Sequence, residues 1–127
     1  MIKAQPLLYV RDVPASSAWY CTVLGATSGH GGDEYERVMS GDAFVLQLHS
    51  WSEAHHHGAP GDPAAPVGNG VIAWFAVDDF DAAVKRATKV KASVITAPHR
   101  NPNANQMEIW LRDPDGYVVV LAGPPLA

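Results

Sequence analysis

The feature that most constrains this chain is an internal repeat. At an offset of 67, Val10 falls on Val77, Asp12 on Asp79, Ala15 on Ala82 and Val23 on Val90. At an offset of 73, Asp42 falls on Asp115, Phe44 on Tyr117, Val45 on Val118 and Leu48 on Leu121. Self-similarity of this kind constrains a fold more than any single predicted element, because the same supersecondary unit must form twice.

Each half reads as a βαβββ unit. In the first, the apolar run from Ala4 to Val10 is a strand. Asp12 is positioned to cap a helix, Pro14 suits its first turn, and the helix runs to about Leu24 before Gly25 stops it. Strands follow over 26–30, 35–40 and 43–49, the last two joined by Ser40-Gly41-Asp42. In the second half a strand spans 70–77, Asp78-Asp79 caps a helix from Phe80 to about Lys89, and strands cover 93–97, 106–112 and 117–122. Asp113-Pro114-Asp115-Gly116 is the turn between the final two. Residues 51–68 carry Gly58, Pro60, Gly61, Pro63, Pro66 and Gly68, the composition of an irregular connector. The expectation is one domain: module 1 over about 2–50, connector 51–68, and module 2 over about 69–123.

At 127 residues, a single domain can bury a core without covalent staples. Nine Lys and Arg against thirteen Asp and Glu give a formal charge of −4, which argues against a nucleic-acid partner. Cys21 is the single cysteine, so no disulfide can form within the chain. No apolar run reaches the length of a membrane span, and Met1 to Pro6 lacks the apolar core of a signal peptide. The expected location is the cytoplasm, with no membrane contact.

Asp113-Pro114-Asp115-Gly116-Tyr117, preceded by Glu108 to Arg112, resembles the last hairpin of the vicinal oxygen chelate superfamily. That group includes glyoxalase I, bleomycin-resistance proteins, fosfomycin-resistance enzymes and extradiol dioxygenases. Tyr9-Val10-Arg11-Asp12, Trp19-Tyr20 and Leu24-Gly25 resemble its first strand and helix, and residues 70–79 the start of its second module. The resemblance implies an α+β fold in which two βαβββ modules form a cupped, incompletely closed eight-stranded barrel around a small-molecule cavity. It also implies a homodimer.

Metal-dependent members place ligands on the first and fourth strand of each module. Counted from the motifs, those positions here are Gln5, Gln47, Ile72 and Val120, with Leu46 as the alternative to Gln47. Aliphatic side chains cannot coordinate a metal, and two neutral amides make a poor transition-metal site. The expectation is therefore no cofactor and no divalent metal at the usual positions. His49 with His55, His56 and His57 in the connector is the alternative source of metal ligands.

With Gln5, Gln47, Ile72 and Val120 turned to the cavity as the resemblance implies, strand alternation adds Tyr9 and Trp74. The resemblance to fosfomycin-resistance enzymes also implies ligand contact at Glu108 and Trp110, and the offset between modules puts Arg37 in a comparable place. Aromatic walls with a few polar groups suit a small aromatic or cationic ligand. The expected function is sequestration of such a ligand, an antibiotic or a metabolite. The alternative is a lyase, isomerase or dioxygenase-type enzyme, using a non-standard metal site or Glu108 as a base whose pKa an apolar pocket raises.

Overall fold

The structure, a computed structural model, describes residues 1–52 and 60–127. The elements are β1 (Leu7–Val10), α1 (Val13–Leu24), β2 (Thr27–Ser28), β3 (Tyr35–Ser40), β4 (Ala43–Ser50), β5 (Ile72–Ala76), α2 (Phe80–Lys89), β6 (Ser93–Asn101), β7 (Gln106–Arg112) and β8 (Val118–Ala122). They fall into two compact units, Met1–Pro66 and Val67–Ala127.

Each unit holds one helix and one four-stranded mixed sheet, ordered β1-β4-β3-β2 in the first and β5-β8-β7-β6 in the second. β1 runs parallel to β4 and β5 parallel to β8, and the remaining pairs are antiparallel. The fold is thus α+β, two βαβββ modules with no closed barrel among the described residues. The register reproduces the offsets of the repeat. Leu7 pairs with Gln47 and Gln47 with Arg37. In the second module Trp74 pairs with Val120 and Val120 with Trp110. The row Tyr9, His49, Tyr35 likewise corresponds to Ala76, Ala122, Glu108.

The helices start where the sequence dictates. The Asp12 carboxylate accepts the Ala15 N–H, and that of Asp79 accepts the Ala82 N–H, each at 3.0 Å. Either bond satisfies one of the orphan donors of a first turn. α1 ends at Gly25, whose left-handed backbone (φ 63°, ψ 35°) lets Ala26 N–H reach the Cys21 carbonyl.

Strand alternation then divides each sheet into a helix face and an open face. Leu8, Val10, Val38, Leu46 and Leu48 are buried with Val13, Tyr20 and Val23 of α1. Ile109, Leu111, Val119 and Leu121 are buried with Phe80, Ala83 and Ala87 of α2. A fully buried side chain of this size contributes roughly 1.5–3 kcal/mol.

Two elements differ from expectation. β2 shrinks to Thr27–Ser28, and β6 runs past Ala97 to Asn101. Pro98 does not end β6 because it lies at an irregularity of an edge strand, where a missing N–H is tolerated.

Candidate functional site

On the open face of the first module, Leu7, Gln47 and Arg37 form one row and Tyr9, His49 and Tyr35 the next. The register settles Gln47 against Leu46, which is wholly buried on the helix face. Hydrogen bonds link the rows. Arg37 Nε donates to Tyr35 Oη at 3.2 Å, and that hydroxyl donates to Gln47 Oε1 at 2.7 Å. Gln47 Nε2 in turn donates to the Gln5 carbonyl at 2.9 Å. Gln5 itself precedes β1 and is exposed.

Aromatic rings continue this face. Tyr9 lies 5.0 Å from both His49 and Trp51, and Tyr35 is 6.2 Å from His49 and 5.1 Å from His30.

On the open face of the second module, Ile72, Trp74, Val120, Trp110 and Glu108 come together as alternation requires. The Trp74 and Trp110 rings meet edge to face at 6.3 Å, with Val120 between them in register. Trp74 remains 46% exposed and Ile72 44%, while Val120 is fully buried.

Glu108 is only 1% exposed. Its carboxylate accepts from Trp110 Nε1 at 3.0 Å, Asn101 Nδ2 at 2.9 Å and Gln106 Nε2 at 3.1 Å, with His99 Nε2 at 3.8 Å. Burial alone pushes its pKa up, but the bonds from Trp110, Asn101 and Gln106, with His99 beside them, outweigh that and hold it below the ordinary value. The sequence expectation of a raised pKa is therefore corrected. The neighbouring tryptophan presents its polar edge to the carboxylate, so the environment is not apolar where it matters. Gln106 stands two residues before Glu108 on one strand, and alternation could have found it. Asn101 and His99 lay beyond the predicted end of β6.

The four positions that carry metal in metal-dependent relatives do not fit a metal by donor chemistry. Ile72 and Val120 have no donor atom, and the Gln47 amide is engaged by Tyr35 and Gln5. His49 Nδ1 pairs with the Ser50 carbonyl at 2.9 Å. His55, His56 and His57 lie outside the described residues. Among the described residues no three His, Cys, Asp or Glu side chains gather as a metal site.

A carboxylate missed by the sequence reading lies on the helix side of the first sheet. Glu36, 3% exposed, accepts from Ser17 Oγ at 2.8 Å, Ser28 Oγ at 2.6 Å, His30 N–H at 3.0 Å and Gly31 N–H at 2.9 Å. Burial raises its pKa, but these four donors pull it down to about 2. It borders a cleft of about 500 Å³ that Ser17, Cys21 and Ser28 also line. Burial pushes the pKa of the Cys21 thiol up, which disfavours the thiolate form.

Two βαβββ modules, each a four-stranded mixed sheet with one helix, define the class of fold. Residues 4–121 match the model of the Glyoxalase/Bleomycin resistance protein/Dioxygenase superfamily, and the chain belongs to that superfamily. No curated protein matches it. Among solved structures it is similar to a glyoxalase/bleomycin resistance protein/dioxygenase family enzyme from Burkholderia phytofirmans PsJN. That likeness has a TM-score of 0.77 at 19% identity, covering 94% of this chain and 95% of that one. It is also similar to lactoylglutathione lyase from Agrobacterium tumefaciens, with a TM-score of 0.68 at 22% identity and coverage of 96% and 92%. A third is the fosfomycin resistance protein FosX from Mesorhizobium loti, with a TM-score of 0.69 at 17% identity and coverage of 99% and 93%. These likenesses concern the fold.

Proposed function

We propose that this chain binds and sequesters a small aromatic molecule, without a cofactor and without a metal at the four usual strand positions. The observation that carries the reading is the Trp74–Trp110 pair, held on an open sheet face with half of Trp74 uncovered. A soluble chain gains nothing in stability from leaving an indole in water, whereas a flat ligand would cover it. The aliphatic residues at two strand positions support binding without Lewis-acid chemistry. Glu108, held ionised and fully hydrogen-bonded, is a poor general base, which weighs against the enzymatic alternative. The reading includes a homodimer in the cytoplasm and an antibiotic or metabolite as ligand.

Titration of tryptophan fluorescence with bleomycin and a panel of aromatic antibiotics and metabolites tests it. The expected result is saturable quenching that Trp74→Ala abolishes, with ligand recovered unchanged. Turnover of the ligand, or quenching untouched by Trp74→Ala, would overturn it. Elemental analysis after purification without nickel resin or chelators is expected to find no stoichiometric metal, and sedimentation to find a dimer.

A further inference from the structure

We infer that the first unit binds a small aliphatic ammonium ion in the cleft bounded by α1, β2 and β3. This site is independent of the one proposed for an aromatic ligand, because Trp74 and Trp110 belong to the second unit. Three observations support it: the size and wall of the cleft, the sign of its charge, and the direction of its hydroxyls.

The cleft measures about 500 Å³, within the range of small-molecule sites. Pro14, Ala18, Cys21 and Ala26 give it an apolar wall of small side chains. No aromatic ring lies among the described residues that line it, so it favours an aliphatic body over a stacked one. No Lys, Arg or His lies among them either, whereas two carboxylates do, those of Asp33 and Glu36. The groups that hold Glu36 are hydroxyls and backbone N–H groups, all of them neutral. With its pKa at about 2 it carries a negative charge at neutral pH, dispersed over its donors but not cancelled.

The hydroxyls carry that charge outward. Ser17 Oγ and Ser28 Oγ each spend their one hydrogen on Glu36 Oε2, at 2.8 Å and 2.6 Å. Toward any other partner they can only accept. A hydroxyl that donates to an ionised carboxylate is polarised and becomes a stronger acceptor. Both serines line the cleft, and Ser28 is open to solvent. An ammonium group has three donors and no acceptor, so it matches oxygens that offer only lone pairs. Burial of its hydrocarbon body against the apolar wall and the negative potential of Glu36 and Asp33 act in the same direction. An anion would face both carboxylates with no cation among the lining residues to offset them.

Titration of the full chain with three matched probes, followed by amide NMR, tests the inference: cyclohexylmethylammonium, cyclohexylmethanol and cyclohexanecarboxylate. The ammonium probe is expected to shift the amide signals of Ala18, Ser28 and Gly31 in a saturable way. It is expected to bind about tenfold tighter than the alcohol, the scale of one charge-assisted contact. The carboxylate is expected to leave those signals unmoved. Ala18→Leu, which fills the cleft from an exposed position of α1, is expected to abolish binding. Ser28→Ala is expected to bring the ammonium probe close to the level of the alcohol. Equal affinity for ammonium and alcohol, preference for the carboxylate, shifts confined to residues of the second unit, or binding that survives Ala18→Leu would overturn the inference. So would the absence of any shift with the ammonium probe. Each of these outcomes leaves the aromatic-ligand reading in place, since that reading is tested at Trp74. Circular dichroism of each variant separates lost binding from lost fold.

Discussion

Trp110 donates its indole N–H to the Glu108 carboxylate at 3.0 Å, from two residues further along the same strand. The bond fixes the edge of a ring that meets Trp74 edge to face, and it favours the ionised form of a buried carboxylate. Trp110→Phe retains the ring and removes the donor. The variant is expected to lose about 1.5–3 kcal/mol at neutral pH, and the Glu108 pKa is expected to rise. A depressed pKa stabilises above the ordinary value of 4.5 and is lost as pH falls below it. The difference between wild type and variant therefore shrinks on acidification. Urea denaturation across pH, with carboxyl NMR titration of Glu108, measures both effects.

Glu36 makes a sharper prediction. With its pKa drawn from 4.5 to about 2, its contribution is complete above pH 4.5 and fades toward pH 2. Glu36→Gln removes the charge and turns an acceptor into a donor facing donors. The expected loss at pH 7 is on the order of 2–3 kcal/mol. The gap to wild type narrows between pH 4.5 and 2. A constant gap across that range would show that the charge contributes nothing.

The turn before β8 depends on Asp113, whose Oδ1 accepts the N–H groups of Asp115, Gly116 and Tyr117, each at 2.9 Å. Asp113→Ala leaves three backbone donors without this partner and is expected to cost about 2–3 kcal/mol. Asp113→Asn keeps an oxygen acceptor and is expected to lose less. Thermal denaturation of the pair checks the ranking.

The two helix caps offer an internal control. Asp12→Ala and Asp79→Ala each remove one acceptor at 3.0 Å, and each is expected to cost about 1 kcal/mol. The caps lie far from each other in the chain and share no partner, so the double variant is expected to lose the sum. Denaturant melts of the three variants test this.

The repeat offsets made much of this fold legible. They aligned the two caps, Asp12 with Asp79, and parity set Trp74 and Val120 on one face of their sheet. Alternation along a strand needs only the sequence, so these residues could be placed early. The ring of donors around Glu36 could not, because two of them are backbone N–H groups of the 29–33 loop, whose path no side-chain pattern reveals. The sign of the Glu108 shift was hidden for a related reason. It depends on which edge Trp110 turns toward the carboxylate, and composition treats a tryptophan only as apolar. The aromatic set of the first module was half visible: Tyr9 and His49 follow from parity, but the arrival of Trp51 against Tyr9 depends on how the chain leaves β4.

β6 carries a last consequence. It is nine residues long and forms the outer strand of its sheet, with Val94 51% and Ile95 44% exposed. A straight edge of that length is a template on which another chain can add a strand, and then another. Its register breaks twice, between Val94 and Thr96 and again between Thr96 and His99, and Pro98 withholds an N–H in the second break. No long, flat row of donors and acceptors is presented. The irregularity of this strand thus also works against fibrous self-assembly.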